Sequence, residues 1–284
     1  MSSDFVLFLG FSAILGYFVF WACLYLGLRW GFYPKRIREF YDDQWKANVP
    51  LSGGLGFLLI GLILYFQFKQ PALLVALLSG LVGLVDDVTK TLRQGHGMKA
   101  RYKILLLMVV SLCFFSFGFG AKRVVWSFVV LLATTSATNF TDGADGLLGS
   151  VLLPVFLVLP QSAVTGALLG ALISYLFFNV SPAKLFMGDT GSLFFGGFLA
   201  AFMLLRGQEW WLILLCLIGV IEVASVVLQV IYFRLTGGKR IFRMTPIHHH
   251  FQKLGWSDPR IVSLFAGVQA VACAFCWVGW NLPW

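Results

Sequence analysis

The sequence is poor in charged residues. Only 12% of its 284 residues are charged, whereas 59% are hydrophobic. A soluble globular domain carries roughly 25% charged residues, so the composition excludes an ordinary soluble domain. The alternating pattern of the strands in an outer-membrane barrel is also missing. Apolar runs of about 20 residues, enough to cross a bilayer as a helix, recur instead along the whole chain. We therefore expect an all-α integral membrane protein.

Cysteine and histidine are scarce as well. All five cysteines lie inside apolar stretches. Cys273 and Cys276 form a CxxC pattern, but in an apolar helix this pattern favours small buried side chains over a zinc or redox site. Three of the four histidines are consecutive, at positions 248 to 250. They are the one concentration of this residue type in the chain.

The apolar runs predict ten membrane-spanning helices in a single domain that covers residues 1–284. The predicted spans are 5–28, 53–68, 71–86, 104–120, 124–138, 147–160, 162–179, 191–206, 210–233 and 260–281. The first run lacks the basic start and the small-residue cleavage site of a signal peptide, so we expect it to be retained. An even number of spans places both termini on one side of the membrane.

The basic residues give these spans an orientation. Most of the 21 lysines and arginines follow odd-numbered spans, and only Lys69, Lys122, Arg123 and Arg206 follow even-numbered ones. Since positive charge stays in the cytoplasm, the odd-numbered connections are predicted to be cytoplasmic and both termini extracytoplasmic. The net charge of +9 then reflects orientation, contact with lipid headgroups and an anionic substrate. We expect no nucleic-acid partner.

Acidic residues and histidines are delivered to the same predicted cytoplasmic face by four separate segments. Acids end or follow the third, fifth and seventh spans, and the histidines follow the ninth. Loops normally hold polar residues, but this consistent placement favours a functional site. The residues concerned are Asp86, Asp87, Asp142, Asp145, Asp189, His248, His249 and His250.

Two of these segments carry carboxylates suited to a cation. Asp86 and Asp87 are adjacent at a membrane boundary, where acids are costly, and a divalent cation or a basic group of the substrate would relieve that cost. Asp189 stands beside Thr190 at a predicted helix start, which suits Mg²⁺, an ion that combines few protein carboxylates with phosphate oxygens. A helix cap is the alternative interpretation of Asp189.

The stretch "TNFTDGADGLLG" places Asn139, Asp142 and Asp145 three residues apart. Asp145 could cap the sixth helix. The free start of that helix could equally bind an anion. Both interpretations stay open at this point.

The three histidines are more suited to phosphate than to zinc. Consecutive side chains point in different directions, whereas zinc ligands on a helix are normally three or four residues apart. Basic residues nearby favour phosphate, or alternatively lipid headgroups. Glu222 lies deep in the ninth span, on one helical stripe with Ser225 and Gln229. It is predicted to make structural hydrogen bonds inside the bundle, with an ion path as the alternative.

Four stretches together resemble the polyprenyl-phosphate N-acetylhexosamine-1-phosphate transferases. They are Asp86-Asp87 with Lys90, "NFTDGADGL", "NVSPAKLFMGDTGS" and "TPIHHHF". The triple histidine after "MTP" is similar in particular to the branch that transfers phospho-N-acetylmuramoyl-pentapeptide. The resemblance extends from about Pro50 to Trp256, and its motifs are specific in combination.

The resemblance implies a ten-helix bundle in the bacterial cytoplasmic (inner) membrane, with a cytoplasmic active site. The implied reaction is Mg²⁺-dependent and takes UDP-N-acetylmuramoyl-pentapeptide and undecaprenyl phosphate to lipid I and UMP in peptidoglycan synthesis. A homodimer is implied as well. Two alternatives remain open: a sister transferase that uses UDP-N-acetylglucosamine, and a cation transporter. A transporter would place its acids near the middle of the membrane, where only Glu222 is predicted to lie.

The resemblance also implies roles for individual residues. Asp189 would bind the metal, with Asp86 or Asp87 beside it, and one of that pair could instead deprotonate the lipid phosphate. The histidines would contact the diphosphate or order their loop, and Asp145 and Phe186 would recognise uracil. The remaining implied residues bind phosphate or order the site: Lys90, Lys103, Asn139, Asp142 and Asn179.

Overall fold

The computed structural model describes residues 2–33, 48–93 and 96–281, and within these ranges it is built of α-helices. Of the basic residues after the first span, Lys35, Arg36, Arg38 and Lys46 lie outside the described residues. The helices are α1 Ser3–Trp30, α2 Gly53–Phe68, α3 Pro71–Leu92, α4 Ala100–Ser111, α5 Cys113–Ser116, α6 Ala121–Thr141, α7 Leu147–Val158, α8 Ala163–Asn179, α9 Gly188–Leu205, α10 Leu212–Leu215, α11 Leu217–Leu235, α12 Ile247–Lys253 and α13 Asp258–Asn281. A short 3-10 helix, Glu209–Trp211, precedes α10.

Each predicted span falls on helical structure. The fourth covers α4 and α5, and the ninth covers α10 and α11 with part of the 3-10 helix. In the part of the chain that the structure describes, six helices are long and apolar enough to cross a membrane, namely α1, α3, α6, α9, α11 and α13. The shorter helices α2, α7 and α8 are also apolar. The fold is thus that of a multi-pass membrane protein, while ten crossings and outward-facing termini stay predictions.

Helix α9 lies at the centre of the bundle, with nearly every residue buried. Helix α3 approaches the first turn of α9 so closely that a Cβ atom on Gly83 would overlap the backbone carbonyl of Asp189. Only glycine permits this contact between two backbones. Since Asp86 and Asp87 follow Gly83 by one helical turn, the close approach places both carboxylates beside the start of α9.

The ninth predicted span is interrupted between α10 and α11, and a side chain of α13 satisfies the interrupted backbone. The buried Gln269 donates through Nε2 to the carbonyls of Leu214 and Leu215, at 2.9 and 3.0 Å, and accepts from the amide of Ile218 at 3.1 Å. A broken membrane helix requires such partners, because lipid offers none. This polar contact fixes where α11 begins.

The cysteines behave as small apolar side chains. Cys273 and Cys276 are buried in α13, and all five thiols are free. The prediction that Cys273 and Cys276 are buried is confirmed.

Candidate active site

Three carboxylates and two lysines meet where α3 ends and where α4 and α9 begin. We call this set, Asp86, Asp87, Lys90, Lys103 and Asp189, the carboxylate–lysine cluster. The Lys90 ammonium lies 2.6 Å from Asp189 Oδ1, 3.1 Å from Asp86 Oδ2 and 3.4 Å from Asp87 Oδ1. Residues from three separate helices thus form one ionic network.

Lys103 joins the same carboxylates from the first turn of α4. Its ammonium lies 2.9 Å from Asp86 Oδ2 and pairs with Asp189 Oδ2. Although burial by itself would lower it, the Asp189 and Asp86 carboxylates raise the pKa of Lys103 above its ordinary value. Asp86 also accepts the backbone N–H of Met98. Asp86 and Asp189 therefore face common cation positions, each filled by an ammonium group.

Asp87 has a different environment from its neighbour. Its Oδ1 accepts the backbone N–H of Asp189 at 3.1 Å, and its Oδ2 accepts the N–H and the hydroxyl of Thr190 at 2.8 and 2.7 Å. The first amides of a helix have no partner within the helix, and a carboxylate there also meets the positive end of the helix dipole. Asp87 therefore caps α9 and fixes the backbone of Asp189.

Asn139 connects α6 to this first turn of α9. Its amide donates to the Ser192 hydroxyl at 3.1 Å, and that hydroxyl donates to the carbonyl of Asp189 at 3.4 Å. The Thr138 hydroxyl donates to the carbonyl of Ser192 at 2.8 Å. The predicted ordering role of Asn139 thus has a defined geometry, although its effect on activity stays a prediction.

The turn of residues 142–146, between α6 and α7, is fastened to the segment that follows α8. Asp145 Oδ2 accepts the amide of Ala183 at 3.1 Å, and Asn179 Oδ1 accepts the amide of Gly146 at 3.1 Å. Burial and the nearby Asp189 and Asp87 carboxylates raise the pKa of Asp142 well above its usual range. Asp142 thus lies within electrostatic reach of the carboxylate–lysine cluster.

One interpretation of Asp145 is wrong. The N-cap position of α7 is Gly146, with φ of 75°, and this residue has no side chain that could accept a hydrogen bond from the first turn of the helix. Asp145 instead precedes the cap residue, and its Oδ2 accepts the amide of Ala183 in the segment after α8. Phe186, in that segment, exchanges backbone hydrogen bonds with Pro50 and Gly53, both at 2.9 Å. Its ring is half-buried.

His248 forms a second polar centre with Glu222 of α11. Its Nδ1 lies 3.0 Å from Glu222 Oε1, and its backbone N–H donates to Glu222 Oε2 at 3.4 Å. Both side chains are buried. The other ring nitrogen, Nε2, lies against Gly143 and has no hydrogen-bond partner among the described residues. The turn of residues 142–146 therefore lies next to His248 and also within electrostatic reach of the carboxylate–lysine cluster.

The other two histidines have partners of their own. His249 Nδ1 lies 2.7 Å from Gln252 Oε1, and the Gln252 amide donates to Asp258 at 2.7 Å. His250 Nδ1 accepts the backbone N–H of Arg243 at 3.1 Å. The three rings thus have three different partners, and His248 lies against the turn of residues 142–146.

The donor chemistry of the carboxylate–lysine cluster suits a hard cation. In residues 2–33, 48–93 and 96–281, no three His, Cys, Asp or Glu side chains are grouped as a complete metal site. Two carboxylates, Asp86 and Asp189, nevertheless converge on shared cation positions. Mg²⁺ is usually held by one or two carboxylates, with substrate phosphates supplying further oxygens. The residues present therefore fit Mg²⁺ bound together with a phosphate ligand.

The partner of Glu222 is the feature that the sequence interpretation does not name. The predicted hydrogen bonds inside the bundle are confirmed, and the carboxylate binds His248, 26 residues later. A signal was available, since a deeply buried carboxylate needs a partner with hydrogen-bond donors and the next polar segment along the chain holds the histidines. Asp87 was likewise considered as a base or a metal ligand, and its capping of α9 was not foreseen.

Comparison with known proteins gives a consistent set of relatives. Residues 70–207 match the profile of Glycosyl transferase family 4. The chain is 37% identical over 266 residues to the phospho-N-acetylmuramoyl-pentapeptide-transferase of Listeria monocytogenes serovar 1/2a, covering 80% of this chain and 82% of the relative. The protein of the same name from Streptococcus pneumoniae serotype 2 is 36% identical, with 81% and 84% covered. That of Clostridium beijerinckii is 34% identical, with 82% of each chain covered.

Proposed function

Because this chain belongs to the family of phospho-N-acetylmuramoyl-pentapeptide transferases, we propose that its carboxylate–lysine cluster is the place where the sugar phosphate is transferred. The enzyme transfers phospho-N-acetylmuramoyl-pentapeptide from its UDP-linked precursor to undecaprenyl phosphate and forms lipid I and UMP for peptidoglycan synthesis. The observation that carries the assignment is identity above one third across four-fifths of the chain.

The finer placement of the enzyme is part of the proposal. Ten crossings with outward termini would set the carboxylate–lysine cluster on the cytoplasmic face of the bacterial cytoplasmic membrane, where the soluble UDP-linked precursor is available. The distribution of lysine and arginine supports this orientation. We further propose a homodimer, as the family resemblance implies.

The chemistry requires charge neutralisation and positioning more than a covalent intermediate. A phosphate oxygen of the lipid attacks the sugar-bound phosphorus and displaces UMP. The negative charges of the lipid phosphate and of the diphosphate therefore come together around the reacting phosphorus. A phosphate monoester has a second pKa near 6 and is mostly deprotonated at neutral pH. A dedicated base is therefore not required, which favours a charge-holding role for Asp86. Lys90 and Lys103 have long, flexible side chains that can turn from the carboxylates to phosphate oxygens.

Asp189 and Asp86 would hold Mg²⁺, which when bound neutralises charge on the diphosphate. Asp87 serves the same centre indirectly, because it holds the backbone of Asp189 at the start of α9. Asp145 and Phe186 are proposed to recognise uracil. The hydrogen bonds between Asp145 and Ala183 and between Asn179 and Gly146 would hold this recognition surface in a fixed position relative to the carboxylate–lysine cluster.

The first test is a direct assay of the purified protein. With Mg²⁺ and polyprenyl phosphate, we expect UMP release from UDP-N-acetylmuramoyl-pentapeptide, and removal of the metal with EDTA should stop it. UDP-N-acetylglucosamine serves as the competing donor and distinguishes the sister transferases. A folded preparation that releases UMP only from UDP-N-acetylglucosamine, or from neither donor, would contradict the assignment.

A second prediction concerns Gly143. A Cβ at this position would overlap the ring of His248, so Gly143→Ala should displace either the ring or the turn of residues 142–146. Since displacements of about 1 Å can cost roughly a hundredfold in rate, we expect UMP release to fall by about that factor. Gly10→Ala is the control, because its added methyl group meets no atom within 4 Å. Equal activities of the two variants would show that the contact is unimportant.

A further inference from the structure

The pair of Glu222 and His248 is an unusual polar contact inside an apolar bundle. Glu222 has no solvent exposure and His248 has 1%. They come from different helices, α11 and α12, and a carboxylate placed this deep is costly unless it is fully hydrogen-bonded. The pair therefore requires an explanation beyond packing.

The hydrogen bonds to an ionised Glu222 assign the ring hydrogen of a neutral His248. Both Glu222 oxygens face a nitrogen of His248, one the ring Nδ1 at 3.0 Å and the other the backbone N–H at 3.4 Å. An ionised carboxylate can only accept hydrogen bonds. The hydrogen of a neutral His248 ring therefore lies on Nδ1, and Nε2 keeps its lone pair.

The second ring nitrogen is the part of the pair that lacks a partner. Nε2 is buried, lies against Gly143 and accepts no hydrogen bond from the described residues. Such an atom has lost its hydrogen bond to water and is destabilising unless another group donates to it. Gly143 lies four residues after Asn139, which bonds to the Ser192 hydroxyl, and that hydroxyl bonds to the carbonyl of Asp189. The unpartnered nitrogen thus lies against the turn that follows this contact with the first turn of α9.

We propose that Glu222 is a positioning residue that holds His248 with its hydrogen on Nδ1, so that Nε2 accepts a hydrogen bond from a hydroxyl or amide N–H of the bound nucleotide-sugar donor. Because Nε2 is buried against Gly143, the turn of residues 142–146 shifts when the donor binds. The proposal rests on the proposed function. It assigns to Glu222 an effect on donor binding that acts through the histidine ring, without contact between Glu222 and substrate.

Glu222→Gln is the informative substitution. The carboxamide has one acceptor and one donor in place of two acceptors. When its oxygen accepts the backbone N–H of His248, its NH₂ group donates to Nδ1, and the ring hydrogen moves to Nε2. Nε2 then meets the substrate with a donor instead of an acceptor. The substitution preserves shape and reverses the hydrogen-bond polarity of the ring.

The kinetic experiment measures KM and kcat for each substrate separately. A site that loses a required hydrogen bond discriminates strongly, because its polar group is left unpaired. We expect Glu222→Gln to raise KM for UDP-N-acetylmuramoyl-pentapeptide about tenfold or more, with KM for polyprenyl phosphate unchanged. Glu222→Asp, which retains two acceptors, should recover part of the loss. Equal loss in the aspartate and glutamine variants, or an unchanged donor KM in the latter, would overturn the proposal.

The matched control is Ser225→Ala. Ser225 is buried on the same helix, 2% exposed, and its hydroxyl bonds to the backbone carbonyl of Glu222 rather than to the histidine. The Ser225→Ala variant tests whether removal of any buried polar group near Glu222 on α11 raises KM for the nucleotide-sugar donor. We expect wild-type kinetics for both substrates. A donor-specific rise in KM for Ser225→Ala would attribute the effect to helix packing and overturn the proposal.

An NMR measurement tests the position of the ring hydrogen without requiring catalytic turnover. The chain has four histidines, so ¹⁵N-histidine NMR of the detergent-solubilised protein can be assigned by single replacements. We expect hydrogen on Nδ1 of His248 in the wild type and on Nε2 in Glu222→Gln. A wild-type ring with its hydrogen on Nε2 would refute the proposal even if the glutamine variant did not fold. An inactive wild type with the expected ring form would refute the proposed function and leave the pairing of Glu222 with His248 established.

Binding of UMP shows whether the group that donates a hydrogen bond to Nε2 belongs to the nucleotide or to the sugar and peptide. If a nucleotide hydroxyl or N–H bonds to Nε2, Glu222→Gln should weaken UMP binding by a factor similar to its effect on the complete donor. If the group belongs to the sugar or the peptide, UMP affinity should be unchanged while the complete donor is weakened. Unchanged affinity for both ligands would contradict the proposal.

Discussion

Asp189→Asn is expected to reduce UMP release by about a thousandfold or more, because it removes the carboxylate on which both lysines converge. Asp189 presents one oxygen to Lys90 and the other to Lys103, and it is the proposed principal ligand of Mg²⁺. An asparagine would place an NH₂ group against an ammonium group, and it lacks the charge that holds the cation. Electrostatic groups at phosphoryl-transfer centres commonly have effects of this size. The measurement is the initial rate of UMP release at saturating substrates.

The fold should survive this substitution, because Asp189 is held through its backbone. Its amide bonds to Asp87 and its carbonyl accepts from Ser192, and neither contact involves the altered side chain. The Tm in detergent should therefore stay within a few degrees of the wild type. Asp4→Asn is the control, since Asp4 is an exposed acid in the first turn of α1 just as Asp189 is in the first turn of α9. An Asp189→Asn protein with more than a tenth of wild-type activity would refute the metal role.

Asp87→Asn is expected to lower stability and activity together. The carboxylate accepts three hydrogen bonds from the first turn of α9. An asparagine has one oxygen and can therefore accept either the bond made to Oδ1 or the two made to Oδ2, but not all three. Loss of a cap and an unsatisfied buried amide cost roughly 1–3 kcal/mol each. Because the same turn carries Asp189, UMP release should fall by about a hundredfold. Thermal unfolding and the UMP assay are measured on the same preparation.

A graded control separates capping from chemistry. Thr190→Val removes only the hydroxyl bond to Asp87 and leaves both backbone bonds, so its loss of Tm and of activity should be smaller than that of Asp87→Asn. If Asp87 were a base or a metal ligand, Asp87→Asn would be inactive with a wild-type Tm. That outcome would refute the capping role and return Asp87 to the chemistry.

Much of the architecture could be predicted because a bilayer imposes a simple length rule. Runs such as 71–86 and 191–206 are apolar and long enough to be helical in lipid, and each falls on a helix. The gathering of acids was predictable for the same reason. When helices cross a membrane, the ends of odd-numbered spans meet at one face, so Asp87 and Asp189 could be expected near each other although they are 102 positions apart in the sequence.

By itself the sequence determined that this protein is a helical membrane enzyme and which of its polar segments are candidates for the site, because apolar length and local motifs are properties of contiguous residues. Only the tertiary structure decided that Asp87 caps α9, that Asp145 does not cap α7 and that Glu222 binds His248. These outcomes depend on ångström-scale distances between atoms of different helices, such as the close approach at Gly83. Neighbouring residues such as Asp86 and Asp87 look alike in a sequence, but helix packing turns their oxygens toward different partners.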